Sequence, residues 1–473
     1  MNFTSIEYLI FFPTVFLLYW IFGKNKTIQN IVIVISSLIF YGWWDWRSLG
    51  LLLITTLTTF YGGAMIRKAD GSRKKQKWIS AVVIVLNLGI LFFFKYYNFF
   101  IESFVDAFSL FGKELSVSTL NIILPVGISF YTFTALSYTL DVYQRKVVAT
   151  RDLPAYCAYT MFFPSILSGP ISRAMKQLPQ YFQKREFSYD KALEACKLIL
   201  MGAVMKLCLA DRLGIYVDTV YANIPNHNGT TLLFTSVLYT IQIYADFAGY
   251  SLMAIGSGKL LGIELQTNFV RPYFAKTVTE FWRRWHISLT TWFRDYIYFP
   301  LGGNRVGRFR WMVNTMTVFV VSGLWHGAAY TFLIWGALHG LCMIIERLIY
   351  GKKIKEIGEG LNVPNILRMA LTFCIVSFAW IFFRAESLGD AVEIIGRIFT
   401  SHGSLFIDIN TFLMAFLALA IVFMYDFTHE YGLRLRFLNS RFKAVRYATA
   451  VLLICYIIGF GVLNSGSFIY FQF

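Results

Sequence analysis

His326 stands in the stretch SGLWHGAAY, between two apolar runs, in a chain of 473 residues that holds only six histidines. Imidazole is the side chain best matched to proton transfer near neutral pH. An ionisable group at bilayer depth is also a candidate functional site, because hydrocarbon makes an unsatisfied polar group costly. Gly323 and Gly327 flank it. A helix break at Ser322-Gly323 is therefore expected, so that the ring lines a cavity instead of facing lipid, with Trp325 packed beside it. The bland alternative is a buried histidine bonded to a backbone carbonyl. His227, His402 and His429 fall in loops or at segment ends and read as solvated bystanders. His339, in IWGALHG, reads as a satisfied histidine at a close helix contact between Gly336 and Gly340. On one straight helix it would lie about 20 Å from His326 and on another face, so the two are not expected to form a catalytic pair.

Other residues offer chemistry, each with a plainer reading beside it. His286, in FWRRWHISLTTW, is placed on the cytoplasmic side, in an interfacial structural role or a substrate-handling one. Arg283, Arg284 and Arg294 suit the phosphates of a nucleotide-like donor, or ordinary anchoring at the cytoplasmic face. Asp246, in IYADFAGYS, is a second intramembrane ionisable group, expected to pair with an arginine or to fix a histidine tautomer. Near the end of GSFIYFQF, Tyr470 is either part of an interfacial aromatic belt or a hydroxyl nucleophile able to carry an acyl group.

Composition fixes the setting of these groups. The chain is 57% hydrophobic and 18% aromatic, and its 15% of charged residues falls well below the roughly 25% of soluble domains. Apolar runs long enough to cross a bilayer recur along its whole length, so the expectation is an all-α polytopic membrane protein forming a single domain over residues 1–473. The net charge of +17 is concentrated in short loops, which sets orientation in a membrane and argues against nucleic acid as a partner. Cys157, Cys196, Cys208, Cys342, Cys374 and Cys455 read as small buried hydrophobes, not as disulfides or metal ligands. A phosphate-binding P-loop, a dinucleotide glycine fingerprint and a G-x-S-x-G nucleophile elbow are all absent from the sequence.

Alternating the basic and less basic loops gives about twelve crossings with both termini outside. They begin near Ser5, Asn30, Ser48, Trp78, Leu120, Ala192, Thr231, Trp311, Tyr330, Pro364, Phe412 and Tyr447. Two apolar stretches do not fit as crossings. Residues 153–171 carry Pro154, Pro164 and Pro170 and suit a re-entrant or interfacial element. Residues 274–300, interrupted by Arg283, Arg284, Arg294 and Asp295, suit the cytoplasmic interface. From Trp311 to Gly323 there is only about 20 Å of helix, short of a hydrocarbon core of about 30 Å, which places His326 well inside the membrane.

The blocks FVRPYFAKTVTEFWRRWHISLTTWFRDYIYFPLGGNR and VSGLWHGAAYTFLIWGALHG resemble membrane-bound O-acyltransferases of the alginate O-acetyltransferase type. PVGISFYTFTALSYTLDVY, FFPSILSGPISR and IYADFAGYSLMAIGSGKLLGI match further blocks of that family in the same order. The resemblance implies about twelve transmembrane helices plus re-entrant or interfacial helices around a central tunnel. It puts the family's intramembrane histidine on His326 and its second histidine, nearer the cytoplasm, on His286. It further implies an acyl group taken from a cytoplasmic donor, acetyl-CoA in this branch, with no resident cofactor, and delivered to an extracytoplasmic polysaccharide. An extracytoplasmic partner of the SGNH type and a bacterial inner-membrane location belong to the same expectation. Relatives that move D-alanine from a carrier protein act with a small separate peptide, and residues 445–473, ending FIYFQF, look like a fused version of it. D-alanyl transfer stays open as an alternative, as does a proton-coupled transporter of polysaccharide precursors using His326 and Asp246.

Overall fold

The computed structural model describes residues 1–109, 120, 122–351, 358, 360–407, 409–433, 437–463, 468 and 469. Every regular element among them is helical. The chain divides into two compact units, residues 1–195 with 257–266, and residues 196–256 with 267–473.

The first unit opens on α1 (Ile6–Phe22) and α2 (Lys26–Gly42), followed by α3 (Leu49–Lys68), α4 (Arg73–Ser109) and α5 (Ile128–Tyr143). Side chains cap the first two helices, Ser5 accepting from the Tyr8 amide and Asn25 from the Ile28 amide. Between 153 and 171 the three prolines have the expected effect. The chain forms two short helices, α6 (Leu153–Thr160) and α7 (Phe163–Ile166), each with proline in its first turn. Both are buried, with Tyr156, Tyr159, Phe162 and Phe163 fully enclosed. After α8 (Ala174–Gln177) the buried Arg185 staples this unit, donating to the Tyr19 hydroxyl at 2.7 Å and to Asn30 at 2.8 Å.

The chain then runs through α9 (Tyr189–Ala203), a π-helical stretch over Val204–Ala210, α10 (Asp211–Tyr221) and the long α11 (Gly229–Leu260). The second unit continues with two short helices, α12 (Val278–Arg284) and α13 (Ile287–Phe293), and the hairpin of α14 (Arg308–His326) and α15 (Tyr330–Tyr350). It closes with α16 (Val363–Arg384), α17 (Leu388–Thr400), α18 (Ile409–Glu430) and α19 (Lys443–Phe460).

A helix stands at each of the twelve positions expected to cross. Seven helices are long and apolar enough to do so, and α1 and α2 are apolar but shorter. The segment expected from Leu120 yields only the 16 residues of α5, and the one from Ala192 is interrupted by the π-helical stretch. Large apolar side chains face outward along α1 (Leu9, Ile10, Ile21), α4 (Val82, Val85, Phe92) and α19 (Val451, Leu452, Ile458). A water-soluble monomer does not carry apolar stripes of that extent; lipid covers them. The same outward faces correct the reading of the cysteines, of which Cys196, Cys374 and Cys455 are exposed and only Cys208 is buried.

One further expectation changes. The helix does not break at Ser322-Gly323. It runs through Gly323 to His326 and ends where the Gly327 amide returns to the Gly323 carbonyl. Gly323 and Gly336 instead bring α14 and α15 into backbone contact: a Cβ on Gly323 would sit 2.2 Å from the Phe332 carbonyl oxygen, and one on Gly336 would sit 2.3 Å from that of Phe319. The stretch from Phe274 to Pro300 packs much of its aromatic surface inside the protein. Phe281, Trp282, Trp285 and Trp292 are all buried in the second unit.

Candidate active site

The residues that matter converge in the second unit. α14 ends on His326, so its ring sits at the tip of about 28 Å of helix and not partway along a short one. Helix length therefore does not place it in the interior; enclosure does. His326 is 3% exposed and is walled by the rings of Trp325 and Trp335 at 5.0 Å and Phe383 at 5.3 Å. Trp335 stacks in turn on Trp380 of α16 at 5.5 Å.

His286 reaches the same place from the other side. α12 ends at Arg284, and the backbone then turns sharply at His286, whose φ of 41° is left-handed, a conformation seldom adopted by a non-glycine residue. The surroundings hold that turn. The Ile287 amide donates to the Asn268 carbonyl at 2.9 Å and the Ser288 hydroxyl to the Asn268 side chain at 2.6 Å. Asn268, itself fully buried, donates to Ser251 on α11 at 3.1 Å. Strained backbone held from several directions is characteristic of working sites. The turn sends His286 inward, where it is fully buried, while Arg283 points out.

The two rings lie 6.2 Å apart, centroid to centroid. His286 also meets Phe247 at 4.7 Å, near the middle of the 32-residue α11. His286 is thus enclosed by the protein beside the middle of α11. The sequence signal was present, because Phe281, Trp282 and Trp285 give the arginine pair an apolar companion face.

His339 is buried at the close contact of α14 and α15 and is hydrogen-bonded through one of its two ring nitrogens. Its Nδ1 accepts from the Trp282 indole at 3.3 Å. It is not remote from His326, however. The turn at Gly327 puts the two histidines on separate helices, and both contact Trp335, His339 at 5.1 Å.

Asp246 is nearly fully buried, but neither an arginine nor a histidine accounts for it. Its Oδ1 lies 2.7 Å from the ammonium of Lys206, and its Oδ2 accepts from the Ile469 amide at 2.9 Å. Lys206 and Asp211, which the sequence reading passed over, complete this buried group with an ion pair of 2.7 Å. Two charges within VMKLCLAD were the available sign.

The three arginines separate. Arg284 is half-buried between Glu280 and Glu430, and Arg271 shares Glu430. Arg294 is exposed and pairs with its neighbour Asp295. Arg283 is exposed. Tyr470 lies outside the described residues.

Two buried imidazoles 6.2 Å apart within aromatic walls can take and give protons away from bulk water. The sequence comparisons agree with that chemistry. The membrane-bound O-acyltransferase family model matches residues 38–385, and the chain belongs to that family. It is a multi-pass membrane acyltransferase, which sets aside the transporter alternative.

Among similar proteins, one from Pseudomonas putida named "Probable alginate O-acetylase AlgI" is 38% identical over 90% of this chain and 88% of its own. The peptidoglycan O-acetyltransferase of Helicobacter pylori is 31% identical over 83% of this chain and 78% of its own. The teichoic acid D-alanyltransferase of Bacillus subtilis is 28% identical over 56% of this chain and 70% of its own.

Proposed function

We propose that the chain moves an acetyl group from acetyl-CoA on the cytoplasmic side of a bacterial inner membrane to an extracytoplasmic polysaccharide. The observation that carries this reading is the approach of His286 to within 6.2 Å of His326 inside an aromatic enclosure. Similarity to O-acetylating relatives over most of the chain supports acetyl as the group and a glycan as the acceptor.

His326 acts as the general base that takes the proton of an attacking hydroxyl. His286 faces the same thioester carbonyl and, as a neutral imidazole with one N–H, donates to the oxyanion that forms there. Trp325 walls the space. Exposed Arg283 and Arg294 engage the donor's phosphates, with Arg284 a lesser contributor because Glu280 and Glu430 already offset its charge. The first acceptor is Tyr470. Its oxygen bonds to the acetyl carbon, the C–S bond breaks, and the thiolate leaves as CoA after protonation by His326. An extracytoplasmic SGNH-type partner then takes the acetyl group from the tyrosine ester to the polysaccharide. Both termini lie outside in this arrangement.

The test is polymer acetylation in cells whose only copy is a variant. His326→Ala at wild-type abundance should lose acetylation by at least about a hundredfold, the lower end of general-base effects, and Tyr470→Phe should lose it comparably. Undiminished acetylation in His326→Ala removes the base, and in Tyr470→Phe removes the relay while leaving direct transfer to the glycan.

A further inference from the structure

The buried charges around Lys206 have a use that the two histidines do not account for. Lys206, 4% exposed, sits in the π-helical stretch with its ammonium 2.7 Å from Asp211 and 2.7 Å from Asp246. Taking such charges out of water is costly, and good geometry with further hydrogen bonds is what makes it tolerable. Here the further bond goes to the segment after α19: Asp246 accepts the Ile469 amide at 2.9 Å.

The preceding residue is seated just as firmly. Phe468, 1% exposed, stacks on Tyr250 at 4.6 Å and lies 5.7 Å from Phe247, the residue whose ring meets His286. The π-helical stretch takes hold of the C-terminal region a second time, since the Leu207 carbonyl accepts the Val462 amide at 3.0 Å. A π turn displaces the regular helical bonds and so leaves a carbonyl for an outside donor, and such turns gather at functional sites.

We infer that Asp246 is a positioning residue which, oriented by Lys206, clamps the C-terminal segment at the Ile469 amide and anchors the chain that bears Tyr470 beside the wall of the histidine site. Its catalytic meaning rests on the relay through Tyr470; the clamp itself does not. The division of labour is chemical. An amide N–H is the same at every residue, so Asp246 fixes where the backbone runs. The slot of Tyr250 and Phe247 selects an aromatic ring one residue earlier. Because Lys206 keeps Asp211 as a partner, Asp246→Ala does not strand an unpaired buried ammonium, and the variant is expected to fold.

The test uses full-length protein in nanodiscs. With Ile469→Cys as the reporter, reaction with methyl methanethiosulfonate is followed at that position by peptide mass spectrometry. Labelling should be slow in the parent and about tenfold faster with Asp246→Ala, the shift expected from losing one charge-assisted hydrogen bond. It should stay near the slow rate with Asp246→Asn, whose amide oxygen still accepts from Ile469. Fast labelling in the parent, or slow labelling with Asp246→Ala, overturns the clamp. Equal fast labelling of the Ala and Asn variants also overturns it, because the ion pair and not the tail contact would then be what matters.

A second measurement needs no cysteine: carboxypeptidase trimming of the 473-residue chain should stop short of Phe468 in the parent and pass it in Asp246→Ala. An active Tyr470→Phe enzyme would end the relay without altering either result.

Discussion

At the scale of single residues, the three interior histidines of the second unit divide by their neighbours. His286 and His326 lie 6.2 Å apart, ring to ring, whereas His339 accepts an indole N–H and rests against Trp335. Replacing His339 by alanine should therefore cost stability, about 1–3 kcal/mol from the stranded Trp282 donor and the lost packing. Its rate per folded molecule should stay within about threefold, well short of a general-base effect. Thermal unfolding beside an acetylation assay separates the two; a hundredfold rate loss with an unchanged midpoint would move His339 into the chemistry.

The arginines divide likewise. Arg283→Ala should raise the apparent KM for acetyl-CoA by about tenfold or more with little change in stability, since a charge-assisted phosphate contact contributes about 1.5–3 kcal/mol. Arg284→Ala should mainly lower stability, because it leaves Glu280 and Glu430 facing each other. Interchanged effects would place the donor at Arg284.

At the scale of elements, the glycines of the α14–α15 hairpin have a different task from the one their sequence suggested. Gly323 reads as a breaker when seen only between apolar runs. The structure needs it for a helix crossing so close that its missing Cβ is occupied by the Phe332 carbonyl. Gly323→Ala should thus cost at least about 1–3 kcal/mol by overpacking and reduce activity by displacing His326. Gly396→Ala, on α17 where nothing lies within 4 Å of the added carbon, should instead stabilise by about 0.5–1 kcal/mol. Similar unfolding midpoints for the two variants would contradict the close crossing.

The same hairpin shows how far sequence reading reaches. That His326 was the residue to watch followed from its rarity and its apolar setting. That His286 was its neighbour did not, because two arginines beside a histidine look like a membrane surface. Only the left-handed turn at His286, pinned by Asn268, reveals that Arg283 is exposed while the histidine is buried.

At the scale of the whole molecule, hydrophobic runs gave the helical membrane class, because bilayer thickness constrains length so strongly. What they could not give was partnership between distant segments. Lys206, Asp246 and Ile469 lie far apart in sequence and meet only once the second unit has folded. The broken pair α6 and α7 was legible for the opposite reason, since prolines act locally.

The proposed function rests on a two-histidine acyl-transfer site. The most direct test is the release of free CoA by purified, detergent-solubilised protein given labelled acetyl-CoA, in the wild type and in His326→Ala, with matched unfolding curves. The prediction is release together with covalent label on the wild-type chain, and both reduced by at least about a hundredfold in the variant. Equal release and equal labelling by the two proteins would contradict it.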